Sequence, residues 1–399
     1  MKREDHSMIA STSSLVGLLR PLLAGLLLAL AACGGGVETG GTGAGAYVQG
    51  PIGGFGSIIV SGVRFDDSSA SIEDPDGRVR GRDDLRLGML VEVESGPIGD
   101  DGSGGRAATA TRVRLASELL GPVTSTVVAN AGLTVLGQPV RLTAATVVDG
   151  VVGGATALQI GDVVEVHGFF APNDGYVATR IERRAAAPAS YRVRGVVADL
   201  DSVAKTLRIG LQGFDLAPSG VPARLENGQF VRLTLQTTMV GGRWPVSAIV
   251  VETRSAGDRE EAELEGLITT FVSAAQFSVN GVRVDASAAP VAGLAEGVRV
   301  EVRGRSVAGV LVAASVKLRS DDDAFNDGVD LRGTIGSVDT VAQTFTLRGI
   351  TVFYGTQPPP EFDNGTALNL ARDSRVRVRG NLSADRTRLV ATRIDFVNN

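Results

Sequence analysis

Cysteine is almost absent from this chain: Cys33 is the only one in 399 residues. A lone thiol rules out a disulfide framework, so stability must come from packing even in an oxidising compartment. Histidine is nearly as scarce, with only His6 and His167. These two shortages exclude Cys–His catalysis, cysteine-rich zinc sites and multi-histidine metal centres. A serine triad would have to use His167 as its base, and no G-x-S-x-G elbow exists to hold the nucleophile. Lysine is rare as well: beyond Lys2 there are only Lys205 and Lys317, and every other base is arginine. With a net charge of −5, the chain lacks the basic surface that nonspecific nucleic-acid binding needs, so no nucleic-acid partner is expected. Aromatic residues make up 5%, with Trp244 the single tryptophan, too few for a repeated set of stacking platforms. A carboxylate hydrolase is the one enzyme class this inventory leaves. The expectation is a non-enzyme with no cofactor and no metal.

A long apolar run is missing too. Leu22 to Ala32 is uninterrupted, but it falls short of the roughly 20 residues a helix needs to cross a bilayer. Lys2, Arg3 and Arg20 precede it, and Leu30-Ala31-Ala32-Cys33 ends it. That tetrapeptide resembles the lipobox of bacterial lipoproteins. The resemblance implies that residues 1–32 are a signal peptide, that the Cys33 thiol carries diacylglycerol and that the new amine is acylated. One acyl chain holds a protein only marginally, at about 0.8 kcal/mol per buried CH₂, whereas two or more make a durable anchor. The membrane is therefore the expected partner through this anchor. Gly34 rather than aspartate follows the cysteine, which favours the outer membrane of the cell envelope. Residues 33–46 read as a Gly-rich flexible tether with a root-mean-square length of about 20 Å.

Self-similarity organises the rest. The signature L-x-x-G-x-x-V-x-V-x-G occurs as Leu158, Gly161, Val164, Val166, Gly168 and as Leu294, Gly297, Val300, Val302, Gly304. Looser copies are Leu85, Gly88, Val91, Val93, Ser95; Leu225, Gly228, Val231, Leu233, Leu235; and Leu370, Asp373, Val376, Val378, Gly380. Downstream, Ala110-Thr111-Arg112-Val113, Ala178-Thr179-Arg180-Ile181 and Ala391-Thr392-Arg393-Ile394 repeat almost letter for letter. Five units follow, at 46–117, 118–190, 191–261, 262–328 and 329–399.

Each unit reads as β. Val300 and Val302 alternate with Glu301 and Arg303, the period of a half-buried strand. Asn280-Gly281 marks a tight hairpin. A unit near 70 residues is close to the lower limit for a stable core, and closure into a barrel removes the edges of so small a sheet. The expected fold is all-β: five tandem, small, five-stranded OB-like β-barrels behind a lipoprotein signal peptide and flexible tether. An open sandwich and a β-solenoid are the alternatives. With short linkers and globules of about 28 Å, the units in line would reach roughly 140 Å as a semi-rigid string.

The glycine-opened hairpin, the signature strand and the closing A-T-R-I resemble a tandem domain of unknown function found in predicted Gram-negative lipoproteins. The resemblance spans nearly all of the chain after Cys33, with the second, fourth and fifth units matching well and the third departing at its closing strand. It implies an envelope location and a small barrel, and no activity.

A site shared by every unit should recur in its exposed side chains. The outward pairs on the signature strand are Glu92/Glu94, Glu165/His167, Arg232/Thr234, Glu301/Arg303 and Arg377/Arg379. Their sign changes from unit to unit, which reads as a solvated face, with His167 an exposed strand residue. Arg112, Arg180 and Arg393 keep their sign better and are candidates for contact with an anionic polymer. Tyr176 and Trp244, near the turns into closing strands, are candidate isolated platforms. Asp321-Asp322-Asp323 with Asn326, Asp327 and Asp330 is the densest acidic cluster; without EF-hand spacing it reads as a solvated linker rather than a calcium site. The leading functional expectation is a structural or interaction module that meets a protein partner or envelope polymer. A receptor for an anionic polymer or oligosaccharide is the second reading.

Overall fold

Alternating stretches such as Val300-Glu301-Val302-Arg303 form strands, and the strands close on themselves. A computed structural model describes residues 45–102, 104–126, 132–172, 174–252, 255–320 and 329–397. The expected signal peptide, Cys33, most of the tether and the acidic residues Asp321 to Asp327 lie outside the described residues. The first strands are β1 (Ala46–Phe55), β2 (Ile58–Val60), β3 (Val63–Asp66), β4 (Ser71–Glu73), β5 (Leu90–Ser95), β6 (Gly99–Asp100) and β7 (Arg106–Leu115). Pairing runs β1–β2–β3–β7–β5 and back to β1, a closed small barrel in which only the β3–β7 step is parallel.

The same circuit recurs along the chain. It is traced by β8 (Ser117–Ser125), β9 (Leu133–Val135), β10 (Gln138–Arg141), β11 (Val147–Asp149), β12 (Val163–Ala171) and β13 (Gly175–Arg183), in the order β8–β9–β10–β13–β12–β8. Next come β14 (Tyr191–Val196), β15 (Ala198–Asp201), β16 (Thr206–Ile209), β17 (Gln212–Asp215), β18 (Phe230–Leu235) and β19 (Trp244–Val251). Here the opening strand is broken at Val197, so that β14 pairs with β18 and β15 with β16. The circuit follows again in β20 (Arg259–Ser273), β21 (Gln276–Val279), β22 (Val282–Asp285), β23 (Arg299–Val307) and β24 (Val310–Leu318). It returns in β25 (Val329–Asp339), β26 (Thr344–Leu347), β27 (Ile350–Phe353), β28 (Glu361–Asp363), β29 (Arg375–Leu382) and β30 (Arg388–Phe396). The short strands β4, β11 and β28 add to the five expected, each pairing in parallel with its closing strand. No α-helix occurs among the described residues, and none of their helices is long and apolar enough to cross a membrane.

Two glycines of the signature have distinct physical reasons. The first, at Gly88, Gly161, Gly228 and Gly297, adopts φ of 78°, 92°, 87° and 80°, the left-handed region that costs other residues a Cβ clash. Asp373 takes the same conformation, at φ 67°, as aspartate does more readily than most side chains. The last glycine sits at a β-bulge opposite the closing strand: the register shifts at His167/Gly168, Arg303/Gly304 and Arg379/Gly380. A Cβ at Gly304 would lie 1.9 Å from the Val312 carbonyl oxygen, and one at Gly380 2.1 Å from that of Val390. The bulge bends the strand so that a small barrel can close.

The units do not hang as a string. Phe55, Phe65 and Val113 of the first share one apolar cluster with Phe345, Val378 and Ile394 of the fifth. Leu119 and Val166 of the second share another with Leu207 and Leu233 of the third. Leu90, Phe169 and Leu267 join the first, second and fourth. Backbone pairing also crosses between units: β1 lies parallel to β20 from Ala46↔Glu261 to Gln49↔Leu264, and β14 pairs with β8 at Val193↔Leu119. Residues Gly43–Asn399 form one compact unit, which corrects the extended arrangement expected above. Short linkers allow the units to fold back, and their faces are complementary.

Substituting Gly304→Val should push the closing strand away and lower stability by about 2–4 kcal/mol. Asp373→Gly, which suits the same left-handed backbone, should stay within about 1 kcal/mol of the parent. Denaturant midpoints of the two variants check both.

Candidate functional site

In the first three units the outward face of the signature strand lies against a neighbouring unit, whereas Arg303 and Arg377 pair within their own units and Arg379 is exposed. Arg192, on the opening strand of the third unit, places Nη2 3.0 Å from Glu165 Oε1 of the second and Nη1 3.4 Å from Asp76 Oδ2 of the first. The same Nη2 donates to the Ser117 hydroxyl. Arg232 Nη1 reaches Asp76 Oδ1 at 2.7 Å. Arg194 is held between Glu118 at 3.2 Å and Glu252 at 2.6 Å. On the other side, Arg106 of the first unit meets Glu263 of the fourth at 2.8 Å, and Arg259 approaches Glu94 at 3.6 Å. For Glu94, Glu165 and Arg232 the outward charge is thus matched across a junction. Equivalent positions carrying opposite charge were the available signal, and Asp76, Glu118, Arg192 and Arg194 were not singled out by it.

Where the first three units converge there is a cavity of about 290 Å³. The loop after β4 supplies Asp74, Asp76, Arg78 and Arg80; β12 and β13 supply Glu165, His167 and Glu182, and Arg184 follows β13; β14 supplies Tyr191 and Arg192. Arg80 pairs with Asp74 at 2.8 Å and Arg184 with Glu182 at 2.6 Å. Burial works against the Glu165 carboxylate, but the nearby His167, Arg192, the Ser117 hydroxyl and Arg184 outweigh it and keep its pKa below the ordinary range. Burial likewise lowers the Arg192 guanidinium, partly offset by Glu165 and Asp76. For Arg194, Glu118 and Glu252 overcome burial and raise it.

The residues singled out from the sequence are dispersed. Arg180 is only 2% exposed; it pairs with Asp149 and Glu182 and donates to the Leu87 carbonyl at 3.2 Å. It therefore locks the second unit to the first and is not open to an anionic polymer. Arg112 lies 3.7 Å from Glu94 and 4.0 Å from Glu73. Arg393 pairs with Glu361, Asp363 and Asp395. Tyr176, fully buried, donates its hydroxyl to the Arg194 carbonyl. Trp244 is buried and packs edge-on against Tyr191 at 5.6 Å. Both are core residues rather than platforms: Tyr176 reaches into the third unit, and Trp244 packs on Tyr191 of its own unit. Asp330, the described member of the acidic cluster, pairs with Arg377. Among the described residues no group of three acidic, histidine or cysteine side chains could hold a metal ion.

His167, expected on the surface, is 2% exposed, and its Nδ1 is buried without a hydrogen-bond partner. Burial pushes its pKa down to about 4, with Arg180 and Arg192 acting in the same sense and Glu165 and Glu182 resisting. An unfolded chain takes up this proton below about 6.5 and the folded one only below about 4, so folding weakens as pH falls through that window. The contribution lost is on the order of 3 kcal/mol by pH 4. His167→Gln should remove that part of the acid sensitivity. Unfolding free energies of parent and variant at pH 7 and pH 4 check it: the gap between the two pH values should shrink in the variant.

Residues 121–182, 265–317 and 332–395 each match the family model of a domain of unknown function (DUF5666), and they fall in the second, fourth and fifth units. No curated protein matches the chain. Three segments of the chain are thus similar to a domain of unknown function, and the units that hold them fold as small closed all-β circuits.

Proposed function

We propose that this protein is a lipid-anchored, rigid interaction module of the cell envelope, built from five OB-like barrels. The OB-like reading rests on the recurrent circuit, in which the opening strand pairs with both the second and fourth core strands and the third runs parallel to the fifth. The lipid anchor rests on Leu30-Ala31-Ala32-Cys33 and on the glycine-rich segment behind it. The observation that carries the module reading is the pairing of charged groups between units. Arg192, Arg194 and Arg106 hold carboxylates of neighbouring units, fixing the units as one body that can present a surface without reshaping it. Rigidity of this kind lowers the ordering cost of binding. An oligosaccharide-receptor reading is favoured by one feature, the polar cavity among the first three units.

Cys33→Ala should shift the protein from the detergent phase to the aqueous phase on temperature-induced phase separation of a membrane extract. Partition of the variant with the detergent phase as before would contradict the anchor. Crosslinking of the parent in intact cells, read against the variant, identifies what the anchored module touches.

A further inference from the structure

We propose that the cavity at the junction of the first three units binds a neutral saccharide of one or two rings. At about 290 Å³ it lies at the lower end of the range for small-molecule sites, which suits a short sugar better than a polymer. Its lining is charged yet balanced. Arg78, Arg80 and Arg184 face Asp74, Asp76 and Glu182, and each already has an opposite partner. An anion entering would meet the carboxylates and a cation the guanidinium groups, so neither gains a net field.

Hydrogen-bonding capacity remains. A carboxylate offers about four lone-pair directions and a guanidinium five N–H donors. Asp76 receives Arg232 on Oδ1 and Arg192 on Oδ2, with Arg78 3.4 Å from Oδ2, which leaves one carboxylate direction unused. A sugar hydroxyl donates and accepts at once, and so matches a wall on which donors and acceptors alternate. Tyr191 also lines the cavity, its ring packed on the core and edge-on to Trp244; with Met89, Leu115 and Leu120 it adds apolar surface that a pyranose's C–H groups can meet.

The site is held in advance. Asp76 is gripped by Arg192, itself 9% exposed, and by Arg232; Glu182 is gripped by buried Arg180 at 3.1 Å. Little side-chain freedom is left to lose on binding, the condition under which a few polar contacts give measurable affinity. The site belongs to no single unit. It needs a loop from the first, two strands of the second and the opening strand of the third, so repetition of the domain does not repeat it.

The test uses the full chain in detergent, with galactose, N-acetylglucosamine and their β-linked disaccharides as probes. Inorganic phosphate and spermidine serve as charged controls, read by thermal shift and titration calorimetry. Arg78 is 72% exposed and pairs with Asp76 alone, so Arg78→Ala should leave the ligand-free melting temperature unchanged. It should weaken the best sugar about tenfold, the loss of one hydrogen bond to a charged group. Tyr191→Ala supplies a second variant acting through the ring and should also weaken that sugar. The proposal is overturned if no neutral sugar binds, if phosphate or spermidine binds more tightly than every sugar, or if both variants bind the sugar as the parent does.

Discussion

A guanidinium withdrawn from water keeps its charge, so every buried arginine needs a carboxylate within reach. In this protein Arg192 and Arg194 find theirs across a boundary between units, and the buried carboxylate of Glu263 finds Arg106 in the same way. Glu263 is 2% exposed with Arg106 beside it, and burial lifts its pKa while Arg106 and Arg303 pull the other way. Separating the units would return these groups to water, so the pairs specify which faces meet, while the shared apolar clusters supply the drive to stay together. The compactness of residues Gly43–Asn399 follows from that constraint together with the shared apolar clusters.

The repeat then has two consequences that pull in opposite directions. The signature strand conserves what closes each unit: a left-handed turn residue, two inward valines or leucines and a bulge against the last strand. Its outward positions are free to diverge, and at Glu94, Glu165 and Arg232 they meet opposite charge on another unit. Junction pairs on the opening and closing strands add to these. A cavity built at such a junction draws on several units, so it is not repeated with the domain although each unit around it has the same circuit. This explains why a search for side chains that recur in every unit finds no site.

The closed circuit, the turn glycines and the hairpins were legible in the sequence, because period-2 alternation and Gly or Asn at left-handed positions report local backbone directly. Burial of the outward face was not. Alternation says that a strand has two unlike faces, but a charged face looks the same whether it meets water or an oppositely charged neighbour. His167, Arg180 and Tyr176 were misplaced for that one reason: each was read on an isolated unit, and each is covered by, or locked to, another. Trp244 is instead buried against Tyr191 of its own unit. Arg112 and Arg393, candidates for contact with an anionic polymer, lie on closing strands and are paired with nearby carboxylates. The third unit's departure at its closing strand was visible as well, and the family matches fall in the second, fourth and fifth units.

Small-angle scattering from residues 43–399 tests the central claim most directly. A single compact body of this length should have a radius of gyration of about 21 Å, by the scaling of folded chains. A string of separate units near 140 Å long would give roughly twice that. The smaller value, unchanged by salt, is what units locked together by buried pairs and shared apolar clusters require; the larger value would contradict the assembly described here.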